Sequence, residues 1–303
     1  IQLCNDLVER FNDVQVYTLR ARTHAAIDQQ DKALADFERA IRLEPGNAAV
    51  WLVRANYYRD LGRAAEEIED VRKAFSLAPD DLAIQWRTSQ VYLASGDREL
   101  YREAEAIVQR AIEAHPENTE LRVQKARMLV SKGTAPVIRE ARLLLNQVVA
   151  EAPNQAEAWE LLGRLELAAK QSGDAMDMAL RGLAHKADDR SLLLLKADAE
   201  AQRSPMLAVP TLKELLRQDP NDLDVFARWA QVAAKSGRPE KTQELVELLQ
   251  ERLAVLEGPV RQQCEIILAK TLYHSGQTSE ATACFVNLMA ADPNDPTPLW
   301  AIA

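Results

Sequence analysis

Polar and apolar positions alternate along this chain with the period of a helix. Tyr17, Ala21 and His24 fall four and three residues apart, and Ala33, Phe37 and Ala40 repeat the spacing. Such spacing puts each trio on one helical face. Leu43-Glu44-Pro45-Gly46-Asn47 closes the pair, because Pro cannot continue a helix and Gly or Asn accepts the left-handed turn that follows. The unit then recurs. A small side chain returns at Ala21, Ala55, Ser89, Ala126, Gly163, Ala197, Ala230 and Ala269, at intervals of 34, 34, 37, 37, 34, 33 and 39 residues. Self-similarity at that period is the signature of a helix–turn–helix solenoid, in which a small residue lets one helix press on its partner.

The unit closures repeat as well: Ala78-Pro79-Asp80-Asp81, His115-Pro116-Glu117-Asn118, Ala152-Pro153-Asn154-Gln155, Asp219-Pro220-Asn221-Asp222 and Asp292-Pro293-Asn294-Asp295. Asp and Asn after Pro are natural N-caps for the next helix. Together with Trp51, Ala55, Tyr58, Gly62, Ala74 and Pro79, these residues make nearly the whole chain resemble a tetratricopeptide repeat array. The resemblance implies an all-α fold, a right-handed superhelical solenoid of about eight helix–turn–helix repeats. Residues 1–13 read as the second helix of a truncated preceding repeat, 14–293 as eight tandem repeats, and 294–303 as the start of another. Neither end carries the polar capping helix that finishes a solenoid, so a longer parent chain with further domains is expected.

Some units depart from the pattern. Three extra residues around 97–101 and 134–138 are expected to lengthen the turns between paired helices. Ala187 replaces the closing Pro of repeat five and leaves capping to Asp188 and Asp189. Pro205 suits a helix start, and Pro210 should kink or delay the second helix of repeat six. A long second helix, about 239–257, is expected in repeat seven, ended by Gly258-Pro259.

Composition changes the picture in three places. Aromatic residues are only 5% of the chain, which favours an all-helical reading. The net charge of −9 argues against general nucleic-acid binding, which needs Lys and Arg to neutralise phosphates. No apolar run reaches the length of a membrane span, so a soluble piece of the cytoplasm or periplasm is expected. Cys4, Cys264 and Cys284 are too sparse for a disulfide framework; buried free thiols are expected rather than a Cys264–Cys284 bridge.

No constellation of catalytic, cofactor-binding or metal-ligating residues emerges. His24, His115, His185 and His274 lie in different repeats, without a carboxylate or Cys at ligand spacing. The chain is therefore read as a scaffold and not an enzyme, its function residing in a surface. In arrays of the family it resembles, the first helix of each unit lines a concave wall that holds a partner's peptide or helix. The residue after each small one should point there: Arg22, Asn56, Gln90, Arg127, Arg164, Asp198, Gln231 and Lys270. Arg59 and Trp86 should lie close by. Arginines interleaved with amides can grip carboxylates and carbonyls through paired hydrogen bonds, so an acidic partner peptide over repeats one to five is expected. The Lys and Asn set of the carboxylate-clamp relatives is not matched, since Thr18 and Arg22 stand in its places. Two other readings share the pattern: a structural spacer in a bacterial exopolysaccharide-export or secretion assembly, and a regulatory array fused to an enzyme.

Overall fold

The computed structural model describes residues 2–237 and 242–291. The Asp292-Pro293 closure and the further repeat expected over 294–303 lie outside the described residues, as does Pro239. Among the described residues there are seventeen α-helices and no strand. The chain divides into two compact units, residues 1–141 and 142–303.

In the first unit α1 (Gln2–Arg10) precedes the hairpins α2 (Val14–Ala26) with α3 (Gln30–Leu43), α4 (Ala48–Asp60) with α5 (Ala64–Leu77), and α6 (Leu82–Ala94) with α7 (Arg98–Ala114). The next first helix, α8 (Thr119–Lys132), packs on α7 and is followed by α9 (Ala135–Glu151). Asp13, Asn47, Asp81 and Asn118 cap α2, α4, α6 and α8, each accepting a backbone N–H of the first turn. Ala21, Ala55, Ser89 and Ala126 are all fully buried, 0% exposed. Around them lie Phe37 and Tyr57 in one cluster, and Val71, Tyr92, Ala104 and Val108 in the next.

The extra residues of repeats three and four do not lengthen the turns. They lengthen the second helices: α7 and α9 have 17 residues, against 14 in α3 and α5. Three residues are close to one helical turn, so the added turn leaves the buried face in register. At α7 the extra turn is secured by Asp97, which accepts the N–H groups of Glu99 and Leu100.

The second unit continues with α10 (Ala156–Ala168) and α11 (Ser172–His185), then α12 (Arg190–Arg203), a 3₁₀ turn at Pro205–Ala208 and α13 (Val209–Gln218). It ends with α14 (Leu223–Ser236), α15 (Gln243–Leu253), α16 (Gly258–His274) and α17 (Thr278–Ala291). Pro205 opens the 3₁₀ turn and Pro210 sits in the first turn of α13, so the second helix of repeat six is delayed. Asp189 caps α12 where the closing Pro is missing. The second helix of repeat seven is shorter than expected and stops at Leu253. Val255 and Leu256 both donate back to the Arg252 carbonyl, and the positive φ of Gly258 before Pro259 turns the chain into α16.

Small residues again set the approach of helices. A Cβ on Gly163 would collide with the buried Leu195 side chain, and one on Gly182 would stand 2.6 Å from Leu192 Cδ1. The stripe slips once. Ala230 is only half-buried, and Trp229, 1% exposed, takes the core position beside it. Its helix packs on the 3₁₀ turn as well as on α13, where the prolines have displaced the regular second helix.

Cys4, Cys264 and Cys284 are free thiols. Burial, helped by nearby Glu265, pushes the Cys264 thiol up to about 11.

Two predictions follow from this packing. Gly163→Val should lower stability by about 1–3 kcal/mol through overpacking against Leu195. Gly173→Ala, in a helix with open space around it, should hold or slightly raise it. Urea unfolding midpoints decide, and an unchanged midpoint for Gly163→Val contradicts the close approach. Because the thiolate is the reactive form, Cys264 should resist iodoacetamide at about pH 8 in the native chain and react once urea unfolds it. Peptide mass spectrometry reads the labelling, and rapid native alkylation of Cys264 would contradict its burial.

Candidate functional site

Seven of the eight first helices carry a buried small residue, α14 being the exception. In the first two repeats the residue before it faces the partner helix of the hairpin. Arg20 donates from Nε and Nη2 to Asp36 Oδ2 and Oδ1, at 2.8 and 2.6 Å. One repeat later Arg54 binds Asp70 in the same way, at 2.7 Å twice. Asp70 is nearly buried, and Arg54 lies over the rings of Trp51 and Tyr58, 5.1 and 5.5 Å from their centroids. Burial pulls the Arg54 guanidinium down, but the hydrogen bond and charge of Asp70 outweigh it and leave it raised. A third arginine, Arg87, reaches from α6 to Asn56 Oδ1 at 2.9 Å and to Glu67, tying one hairpin to the next. These cations hold the unit together and are not available to a ligand.

The following residue is exposed in repeats one, four, five, seven and eight and half-buried in repeats two, three and six. In the first unit Arg22 is exposed, and it lines an open groove of about 760 Å³ together with Asn56, Tyr57, Asp28 and Asp60. Of the other expected residues of this unit, Arg59 donates to Asp60 Oδ1 at 3.3 Å, Trp86 and Gln90 are half-buried, and Arg127 is exposed. In the second unit Arg164 is exposed and its Nε donates to Glu160 Oε1 at 2.7 Å. The structure thus brings Arg22 and Asn56 to one groove, but Asn56 is already engaged by Arg87.

The second unit has two adjoining grooves on the same register of its first helices. One, of about 470 Å³, is lined by Asp198, Gln202, Asp224, Arg228, Gln231 and Lys235, among others. Arg228 is pinned there, donating to Asp198 Oδ1 at 2.6 Å and to Asp224 Oδ1 at 3.3 Å. The other, of about 330 Å³, shares Ala227, Gln231 and Lys235 with it and adds Ala230, Ala234, Ile266, Ile267, Lys270 and His274. Among the described residues no cluster of His, Cys, Asp and Glu could hold a metal ion. No helix of the described residues is long and apolar enough to cross a membrane.

The tetratricopeptide repeat family model matches residues 18–81. Over these residues the chain is similar to the tetratricopeptide repeat family. An overlap of 68 residues links the chain to sperm-associated antigen 1 of Mus musculus, at 37% identity, and to its Rattus norvegicus counterpart at 38%. The match covers 22% of this chain and only 8% of either relative. Among solved structures, the Cut9–Hcn1 hetero-tetramer aligns with a TM-score of 0.56 at 17% identity, over 76% of this chain and 45% of that one. The type IV pilus biogenesis factor PilW gives 0.53 at 23% identity, covering 68% and 94%. A tetratricopeptide repeat protein of Parabacteroides merdae gives 0.52 at 14%, covering 84% and 96%. At these identities the likeness is one of fold.

The arginine–aspartate clasps escape a reading by periodicity, because each joins residues 16 apart on two helices of one hairpin. A second recurring device is also new: Trp51, Gln85 and Trp159 each donate a side-chain N–H to the carbonyl of the closing Pro six residues earlier. The only sequence signal for the clasp is the recurrence of Arg20 with Asp36 as Arg54 with Asp70, one repeat apart.

The clasp is open to test. Asp70→Ala strands Arg54 in a site where its side chain is only 14% exposed. It should cost about 3–5 kcal/mol, and Arg54→Met with Asp70→Leu should recover most of that. Urea unfolding measures both, and a loss below about 1 kcal/mol for Asp70→Ala would place the pair among weak surface contacts instead.

Proposed function

We propose that this chain, like the tetratricopeptide repeat proteins it is similar to, is a protein-interaction scaffold, that it holds a segment of a partner protein along the face that follows the small stripe, and that it performs no chemistry of its own. The observation that carries the reading is the alternation in the first helices. Arg22 and Asn56 in the first unit line an open groove, as do Asp198, Gln231 and Lys270 in the second. The preceding residues Arg20 and Arg54 are clasped inward. Side-chain amides and cations on such a wall can bond the carbonyls of an extended segment, while Ala227, Ala230 and Ile267 offer it apolar contact.

In the first unit the groove offers a partner both signs, since Asp28 and Asp60 stand beside Arg22. The proposal there rests on the wall as a peptide surface and not on an uninterrupted arginine ladder.

To test it, a random short-peptide library is panned on the full chain and the best binders are rebuilt with a photo-crosslinker. Crosslinks are expected on first helices, near Arg22 and Asn56 or near Gln231 and Lys270. A failure to enrich any peptide contradicts the proposal, as would crosslinks confined to exposed positions of the second helices such as Arg110 and Arg181.

A further inference from the structure

The groove between α14 and α16 differs from the others in its charge. Its floor is apolar, built by Ala227, Ala230 and Ala234 from one helix and Ile266 and Ile267 from the other. Its edge carries Lys235, Lys270 and His274, and among the described lining residues none is acidic. The neighbouring groove holds Asp198 and Asp224, but Arg228 and Arg190 neutralise them.

Two further facts set this place apart. The first is the opening of the floor. Here alone in the small stripe the residue, Ala230, is left half-buried, because Trp229 occupies the core position beside it. The second is the state of the lysines. Of the other described lysines of the same unit, Lys186, Lys196 and Lys213 each pair with a carboxylate, and Lys170, at a turn outside the groove, does not. Lys235 and Lys270 are exposed and make no ion pair among the described residues. On a chain of net charge −9, two cations without a carboxylate partner among the described residues, set over an apolar floor, are a local reversal of sign.

We infer that this groove docks a partner segment in which acidic residues alternate with aliphatic or aromatic ones. The apolar side chains cover Ala230, Ala234, Ile266 and Ile267, removing that surface from water, which is the main source of affinity. The carboxylates meet Lys235 and Lys270 at the edge, where exposed pairs contribute modestly but reject a basic or neutral competitor. The inference rests on the peptide-scaffold reading and assigns the chemistry of one of its sites.

The panned peptides test it. Enriched sequences are expected to mix Asp or Glu with Leu, Ile, Val or Phe. The best of them, made synthetically and followed by fluorescence anisotropy on the full chain, should bind Lys235→Glu/Lys270→Glu at least about tenfold more weakly. The Lys→Gln pair should fall between, and Ile267→Asp should also lose binding. Circular dichroism and the unfolding midpoint confirm that each variant is folded; exposed lysines make this a mild change. Neutral or basic binders that Ile267→Asp still abolishes would overturn the acidic preference while leaving the peptide scaffold standing. Acidic binders indifferent to all these variants would place the site elsewhere and overturn the inference. If nothing is enriched, both readings fall.

Discussion

A helix that must lie against its neighbours at close range can carry only a small side chain at the point of contact. That constraint governs this chain. Ala21, Ala55, Ser89, Ala126, Gly163, Ala197 and Ala269 are all buried on the first helices of their hairpins. At Gly163 and Gly182 the fit admits no Cβ without displacing a buried leucine. The aromatic and aliphatic residues that fill the space between, from Phe37 and Tyr92 to Leu195 and Leu249, can interlock because the backbones come near enough.

The same constraint sorts the charged residues. Consecutive positions on a helix are about 100° apart, so fixing one residue at the contact turns its two neighbours to opposite sides. The residue before it meets the second helix, and in the first two repeats it is an arginine closed by an aspartate. The residue after it meets the groove. Arginine therefore has two roles here that composition cannot separate: Arg54 is structural, with its side chain 14% exposed, whereas Arg22 stands open on the wall. The balance of charge in each groove then depends on how many cations the hairpins have claimed. Arg228 is claimed by two aspartates, while Lys235 and Lys270 have no carboxylate partner among the described residues.

Periodicity made the repeats, their small stripe and most of their caps legible, because each depends on spacing within one or two helices. The closures after Pro serve as expected at Asn47, Asp81, Asn118 and Asp222, although Gln155 makes no side-chain cap. What escaped depends on contacts between helices. The three-residue insertions look like longer loops in sequence, yet a stretch close to one helical turn can be absorbed by α7 and α9. Trp229 is buried beside the half-buried Ala230, in a helix that packs on the 3₁₀ turn opened by Pro205. Asn56 reads as a groove residue, and it lines the groove, but its carbonyl oxygen belongs to Arg87. The acidic company of Arg22, from Asp28 and Asp60, was likewise invisible until the turns were placed beside the wall.

The central claim is that a buried small residue gives way at once to an exposed one on the wall, as at Ala21 and Arg22, Ala126 and Arg127, Gly163 and Arg164, and Ala269 and Lys270. It is read most directly from single cysteines placed in a chain whose three native thiols are alanine. Cysteine is small enough to fit the buried positions. Maleimide labelling of the folded chain is compared at Ala21 with Arg22, at Ala126 with Arg127 and at Ala269 with Lys270. The account predicts fast labelling at the second residue of each pair and strong protection at the first until denaturant is added. Equal rates within the pairs would contradict it.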